Sequence, residues 1–270
     1  MPSSARIASV PTDVLPGLTD THCHLDLEAF DADRDRVLER ARRAGLVRIL
    51  VPGLNLAGSR RAAELARSDP ILRFAAGVHP HESGSFNGRV LDDLRALARE
   101  RGAAAIGEIG LDYYRDLAPR GRQREAFRAQ LGLALELRLP AIIHIREAEE
   151  DALAILAEAG AGGRGVLHAF SGGRTLAERA AEMGFFFGIA GPLTYPGSAQ
   201  LRETFRALPP DRILLETDAP YLPPDGNRGK RNEPALVLAV ARRAAGELDW
   251  EPTELVRRTR RNANILFAWE

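Results

Sequence analysis

A single-domain (β/α)8 barrel is the α/β fold that this sequence predicts, on three observations. Eight short, nearly continuous apolar runs recur along 270 residues, stretches of helical pattern alternate with them, and ligand-type side chains stand at the ends of several runs. Strands buried on both faces of a parallel sheet are apolar throughout rather than alternating. Strands that alternate with helices imply βαβ units. Eight such units in about 250 residues fit a closed barrel better than an open doubly wound sheet. No glycine-rich dinucleotide fingerprint follows the first run, which also counts against the open sheet.

The runs, in order, are GLTDTHCHLD (17–26), RILVPGLN (48–55), LRFAAGVHP (72–80), AAIGEIGLDYY (104–114), AIIHIREA (141–148), GVLHAFSG (165–172), FFFGIAG (185–191) and ILLETDAP (213–220). Between them, RDRVLERARRAG (34–45) places Val37, Leu38 and Ala41 on one helical face and stops at Gly45. A second helix is predicted over 89–102, with Val90, Leu91, Leu94, Leu97 and Ala98 at helical spacing, and a third over 124–140, ending before Pro140. The Pro- and Gly-rich segment 221–234 reads as a long loop after the last strand, and 253–269 as a helix packed over the barrel. Residues 1–16 read as a loose N-terminal extension and 17–270 as the barrel domain.

Composition narrows the function classes. Lys+Arg and Asp+Glu are both 37, so no global field steers the chain towards nucleic acid, and any such binding needs a local basic patch. The single cysteine, Cys23, excludes an intrachain disulfide and a cysteine-rich zinc site, and fits a reducing, cytoplasmic compartment. The N-terminal stretch has no apolar run of the length a secretory signal needs, and no segment approaches the ~18–20 apolar residues of a membrane span. A monomer fits these features.

Six side chains carry the chemistry. His22 and His24 flank Cys23, and residues i and i+2 of an extended chain face the same way, so both imidazoles reach one ion while Cys23 points to the other side. Glu108, His144, His168 and Asp218 each end an apolar run. In a barrel those ends form the active face, so the six converge on one mouth. Imidazoles with carboxylates suit zinc, manganese or iron, and magnesium more loosely. Six ligands exceed one tetrahedral ion, so two divalent ions bridged by a carboxylate are expected. Lys230 is the only lysine, which leaves Glu108 as the natural bridge.

DTHCHLD (20–26), GVHPH (77–81), GEIGLDYY (107–114), LPAIIHIREA (139–148), LHAFSG (167–172), LLETDAPYLPP (214–224) and RGKRNEP (228–234) together resemble the TatD family of metal-dependent deoxyribonucleases, within the amidohydrolase-like barrels. Ala169, where the family often has cysteine, and the longer N-terminus depart from the pattern without touching a ligand position. The resemblance implies a 3′→5′ exonuclease on single-stranded DNA that uses magnesium or manganese, with zinc also found bound. It further implies that His22, His24, Glu108 and Asp218 hold one ion and Glu108, His144 and His168 the other.

The expected mechanism is two-metal hydrolysis of a phosphodiester, with Asp218 taking the proton of the attacking water. Phosphate contacts are expected from Arg146, which shares the His144 face, from His79, and from Arg228, Lys230, Arg231 and Asn232 on the long loop. His81 has no assigned role; Tyr113 and Tyr114 are candidates for base stacking. The arginines of 119–128 read as a solvated helix face, and the turn at Ser171 as an ordinary strand-to-helix connection. Two other functions use the same residues: a metal-dependent ester or amide hydrolase, such as an aminoacyl-tRNA deacylase, and a non-enzymatic metal-stabilised scaffold. Open coordination positions and the absence of cysteine ligands count against the scaffold.

Overall fold

In the computed structural model, which describes residues 14–269, each apolar run supplies one parallel strand. These are β1 (Leu18–Asp20), β2 (Leu46–Pro52), β3 (Leu72–Ala76), β4 (Ala105–Asp112), β5 (Ala141–Arg146), β6 (Gly165–Leu167), β7 (Phe186–Ile189) and β8 (Ile213–Leu215). They pair in sequence order, β1 through β8. The ring closes just beyond the strands: Thr21 N donates to Leu215 O (3.0 Å), Asp218 N to His22 O (2.8 Å) and His24 N to Ala219 O (2.8 Å). The seam therefore fixes the backbone of three candidate ligands.

Nine α-helices alternate with these strands among the described residues: α1 (Arg34–Ala44), α2 (Leu56–Ser68), α3 (Gly88–Arg101), α4 (Arg120–Leu137), α5 (Glu149–Glu158), α6 (Arg174–Glu182), α7 (Ala199–Arg206), α8 (Val237–Glu247) and α9 (Pro252–Phe267). Helix α1 buries Val37, Leu38 and Ala41 as its spacing predicts, and Gly45 ends it at φ 101°, a left-handed conformation that favours glycine. A Cβ there would lie 2.3 Å from Leu15 O. Helix α4 differs from its predicted bounds: it begins at Arg120, directly after Pro119, and ends where Arg138 turns left-handed at φ 57°.

The buried face of α4 carries two glutamines that serve the strand ends. Gln130 Oε1 accepts from Val78 N (2.7 Å) and its Nε2 donates to Val78 O (3.0 Å). Gln123 does the same for Asp112 N (2.8 Å) and Asp112 O (3.1 Å). Two chain segments that would otherwise bury unpaired peptide groups are held this way beside His79 and Asp112.

The core has two layers. Strands and surrounding helices share the larger one. Inside the barrel, Leu50, Ala75, Ala105, Ile142, Val166, Phe186 and Leu214 pack together, and Leu266, Phe267 and Trp269 from the end of α9 join them. The last helix thus covers the end of the barrel opposite the candidate ligands, as expected for 253–269. Residues 1–13 of the expected extension lie outside the described residues. At 14–16 the expected boundary is corrected: Leu15 is buried and its N donates to Ala44 O (3.1 Å), because the left-handed Gly45 turn leaves room for the chain to pass. Among the described residues no helix is long and apolar enough to cross a membrane.

Candidate metal centre

Strand β1 ends at Asp20, yet the chain stays extended and Cys23 pairs with Ala219 as an isolated parallel bridge. The expected alternation therefore persists. His22 Nε2 and His24 Nε2 lie 3.2 Å apart on one side, and Cys23 is fully buried. Glu108 projects from β4 and His144 from β5, while His168 follows β6 directly. Asp218, beyond β8, has φ 56°, and Ala169, next to His168, has φ 44°. Left-handed conformations at non-glycine residues cost about 1–2 kcal/mol and persist where surrounding contacts over-determine them. At Asp218 those contacts are the bonds from its N to His22 O and from Tyr221 N to its O, each 2.8 Å.

The six predicted residues do come together, with Glu108 in the middle. Glu108 Oε2 lies 3.2 Å from His22 Nε2 and 3.6 Å from His24 Nε2. Its Oε1 lies 2.9 Å from His168 Nε2, 3.0 Å from His144 Nδ1 and 3.4 Å from His79 Nε2. Asp218 Oδ1 completes the Oε2 side, 3.6 Å from His22 Nε2 and 3.4 Å from His24 Nε2. One carboxylate thus faces two separate groups of donors. His79, expected as a substrate contact, belongs by position with Glu108 and His144.

This donor set fits metal ions. Imidazole nitrogens face each other at 3.2 Å in His22–His24 and 3.3 Å in His144–His168, an arrangement that leaves lone pairs opposed unless a proton or cation lies between them. His22, His24 and Asp218 offer ligand atoms all within 4.8 Å of one another, and so do His79, Glu108 and His144. Burial disfavours charge on Glu108, but His168, His79 and His22 around it hold its carboxyl well below the usual range, so it is an anion. Burial pushes His79 down to about 4, leaving a neutral ring with a lone pair to offer.

Three buried carboxylates behind the cluster were not anticipated from the sequence. Asp112 Oδ2 lies 3.1 Å from His144 Nε2 and 2.9 Å from His81 Nε2, while its Oδ1 accepts from Arg115 N (2.8 Å). Glu216 Oε1 accepts from Ala169 N (2.5 Å) and stands 3.4 Å from His168 Nδ1. Asp20 accepts from Thr217 N (2.9 Å) and Oγ1 (2.6 Å) and from His22 N (3.2 Å). Carboxylates behind imidazoles, as Asp112 and Glu216 are, fix ring orientation and leave the other nitrogen free to ligate, while Asp20 holds the His22 backbone.

Glycine makes the Glu216 arrangement possible. A Cβ on Gly188 would fall 2.1 Å from Glu216 Oε2, and Glu216 is fully buried with nowhere to retreat. Gly188→Ala and Glu216→Gln are both expected to weaken metal binding by about 10–100-fold, measured by competition with a chromogenic chelator. Unaltered affinity in both variants would show that Glu216 has no part in orienting His168.

A cleft of about 620 Å³ opens above the cluster, lined by His24, His79, Glu108, Asp112, His144, His168 and Asp218 at its floor and by Arg115, Leu117, Arg146 and Tyr221 among others. Arg146 is thus placed as its i+2 relation to His144 predicted. Arg228, Lys230 and Arg231 do not line it. Arg228 lies over the Tyr195 ring (5.0 Å). The expectation for Arg231 is corrected: it binds Asp33 through two nitrogens (2.7 and 2.9 Å) and lies over the Phe30 ring, because a buried carboxylate at Asp33 needs a cation. Asn232, fully buried, donates to Thr217 O (2.9 Å) and Tyr221 O (2.6 Å) and so ties this loop to the segment after β8 that carries Asp218. Tyr113 is engaged by Asp151 through its hydroxyl (2.6 Å), whereas Tyr114 is exposed. The arginines of α4 are paired on the surface, Arg124 with Asp151 and Arg128 with Glu158, as a solvated face should be.

Arg231→Ala is therefore expected to lower stability by about 2 kcal/mol at neutral pH, read as a drop in the urea midpoint. The Arg231 hydrogen bonds hold Asp33 below its usual value. A depressed carboxyl stabilises the fold above the unfolded value of about 3.9 and loses that contribution as pH falls through the folded value. The deficit of the variant should shrink over that acid range; a deficit that stays constant into acid would remove Asp33 as its cause.

Comparison with known proteins places this geometry. Residues 19–268 match the profile of the family described as TatD related DNase. A metal-dependent hydrolase of Bacillus subtilis, YabD, described as uncharacterized, is 38% identical over 251 residues, covering 93% of this chain and 98% of its own. The 3′-5′ ssDNA/RNA exonuclease TatD of Erwinia tasmaniensis is 39% identical over 260 residues, covering 92% and 98%. The crystal structure of YJJV, a TatD homolog from Escherichia coli K12, superposes with a TM-score of 0.90 at 33% identity, covering 94% of this chain and 99% of that one.

Proposed function

We propose, from the premise that the chain belongs to the TatD-related DNases and is a metal-dependent hydrolase of that family, that it is a 3′→5′ exodeoxyribonuclease acting on single-stranded DNA with two divalent ions. The observation that carries the two-ion reading is Glu108, whose two oxygens face two separate sets of nitrogen donors. His22, His24 and Asp218 would hold one ion with Glu108, and His144 and His168 the other, with His79 alongside. Bound there, zinc, magnesium or manganese would lower the pKa of a water and neutralise charge on a phosphate. The substrate class rests on the relatives, several of which are named 3′-5′ ssDNA/RNA exonucleases.

The chain's own groups do the rest. Asp218 is the proton acceptor in this reading: both carboxylates line the cleft, but the Asp218 side chain is 12% exposed against 3% for Glu108. Arg146 approaches the cleft from β5 and offers a cation to the substrate backbone. Glu216 and Asp112 hold the rings of His168 and His144. A single-stranded oligonucleotide labelled at its 5′ end should shorten stepwise from the 3′ end with Mg²⁺, Mn²⁺ or Zn²⁺ and stay intact with EDTA. No shortening with any of these ions would sink the nuclease reading; cleavage of carboxylic esters instead would move the chain to the deacylase class.

A further inference from the structure

The cleft is larger than a single phosphate requires, and its floor is lined by carboxylates. Two arginines reach it, Arg115 and Arg146. Many guanidinium groups on the surface are held by acids, as Arg179 is by Glu150 and Arg243 by Glu247. Among the described residues the Arg115 side chain has no hydrogen bond or ion pair, and that of Arg146 contacts only the ring of Tyr114, 3.9 Å from its centroid. They are also neighbours by register. Arg146 pairs with Asp112 across β4 and β5, Tyr113 N donates to Arg146 O (2.9 Å), and Arg115 stands three residues past Asp112 in a turn held by Asp112 Oδ1.

Tyr114, next to Arg115 in the chain and under the Arg146 guanidinium, is 53% exposed, and Leu117, 68% exposed, lines the cleft. Unpaired guanidinium groups beside an exposed aromatic ring are what one phosphate and one base require: charge-assisted hydrogen bonds to the first and a stacking face for the second. A group that only balanced the acidic floor would be drawn into ion pairs with it, and these are not.

We infer that Arg115 and Arg146, with Tyr114, form a second subsite that holds the backbone phosphate one nucleotide removed from the scissile one. The subsite rests on the nuclease reading and deepens it: the preferred substrate is a strand, not an isolated ester. Arg146 thereby serves the neighbouring linkage and draws the strand along the β4–β5 side of the cleft. An uncharged linkage at that position removes what the two arginines bind, so the linkage and the arginines should be coupled.

The test uses two single-stranded oligonucleotides of one sequence. One is all phosphodiester; the other carries a methylphosphonate at the linkage adjacent to the one first cleaved. For the wild-type protein with Mn²⁺, the methylphosphonate is expected to lower kcat/KM about 30-fold. Arg115→Ala/Arg146→Ala is expected to show a similar loss on the phosphodiester strand and no further loss on the methylphosphonate. Neither arginine has an acidic partner to strand, so the double variant should keep the wild-type far-UV spectrum; Arg115→Gln/Arg146→Gln repeats the cycle with longer side chains. Equal methylphosphonate effects in wild type and variant, or no effect in the wild type, would overturn the subsite alone. A wild-type protein that trims neither strand with any ion would overturn the nuclease reading and this inference with it.

Discussion

Glu108→Ala is expected to lower kcat/KM at least about 10³-fold and to leave fewer than two ions per chain. The substitution removes the one group that touches both donor sets, since Oε2 faces His22 and His24 and Oε1 faces His168, His144 and His79. Ions in such a site supply several kcal/mol of charge stabilisation in the transition state, and each 1.36 kcal/mol is about a tenfold rate factor. Metal content by elemental analysis and turnover on the oligonucleotide are the two readouts. Glu108→Gln separates charge from volume: it keeps the shape of the side chain but offers a neutral amide to cations, and it should resemble Ala in both readouts. Full metal content with wild-type turnover would falsify the bridging assignment. Without Glu108 the remaining donors hold metal more weakly, so the Ala variant should also depend on metal for stability less than the wild type does.

The barrel and the convergence of the six side chains were legible because both follow from short-range pattern. An apolar run ending in a ligand-type side chain recurs at Glu108, His144, His168 and Asp218, and parallel strands in a barrel place such ends at one mouth. His22 and His24 were readable from i, i+2 spacing even though regular β1 pairing stops at Asp20. The buried acids behind them were harder, although the signal was present. Asp20 precedes His22 by two, Glu216 precedes Asp218 by two, and Asp112 follows Glu108 by four, so each sits at even spacing from a ligand. What the pattern lacks is the partner: that Glu216 serves His168, 48 residues away, depends on β6, β7 and β8 lying side by side.

Long-range partners also explain the misplacement of Arg231. A run such as RGKR announces charge, but Asp33, 198 positions earlier, is what takes the guanidinium. Conversely, nothing in the sequence marks Arg115, because an arginine after two tyrosines differs from any other surface arginine only by its place in the cleft lining. His79, at the end of the third apolar run, reads as a contact to substrate or as a donor behind the ligands. Its proximity to Glu108 Oε1 follows from Gln130 of α4 gripping both peptide groups of Val78, which neither run reveals alone.

Splitting the ligand set is the sharper experiment on ion number. His24→Ala and His144→Ala strip different sides of Glu108: His24 stands at Oε2 with Asp218, and His144 at Oε1 with His168. If two ions share the carboxylate, each variant should retain about one ion per chain at saturating Mn²⁺ or Zn²⁺, and both should lose at least about 10³-fold in kcat/KM, because in a two-metal site one ion serves the attacking and the other the leaving oxygen. The retained ion should differ between them. In His24→Ala it remains with Glu108, His144 and His168, and in His144→Ala with His22, His24, Asp218 and Glu108. Spectra of a substituted Co²⁺ ion separate the cases, since the first set has one carboxylate and the second has two. A single shared ion predicts otherwise: either substitution would weaken the same site, metal content would fall from one towards zero in both, and the spectra of whatever remained would coincide. The double variant adds the final constraint. With two ions it binds none tightly, and its activity should be no lower than that of the weaker single variant, because neither single variant retains a complete pair to lose.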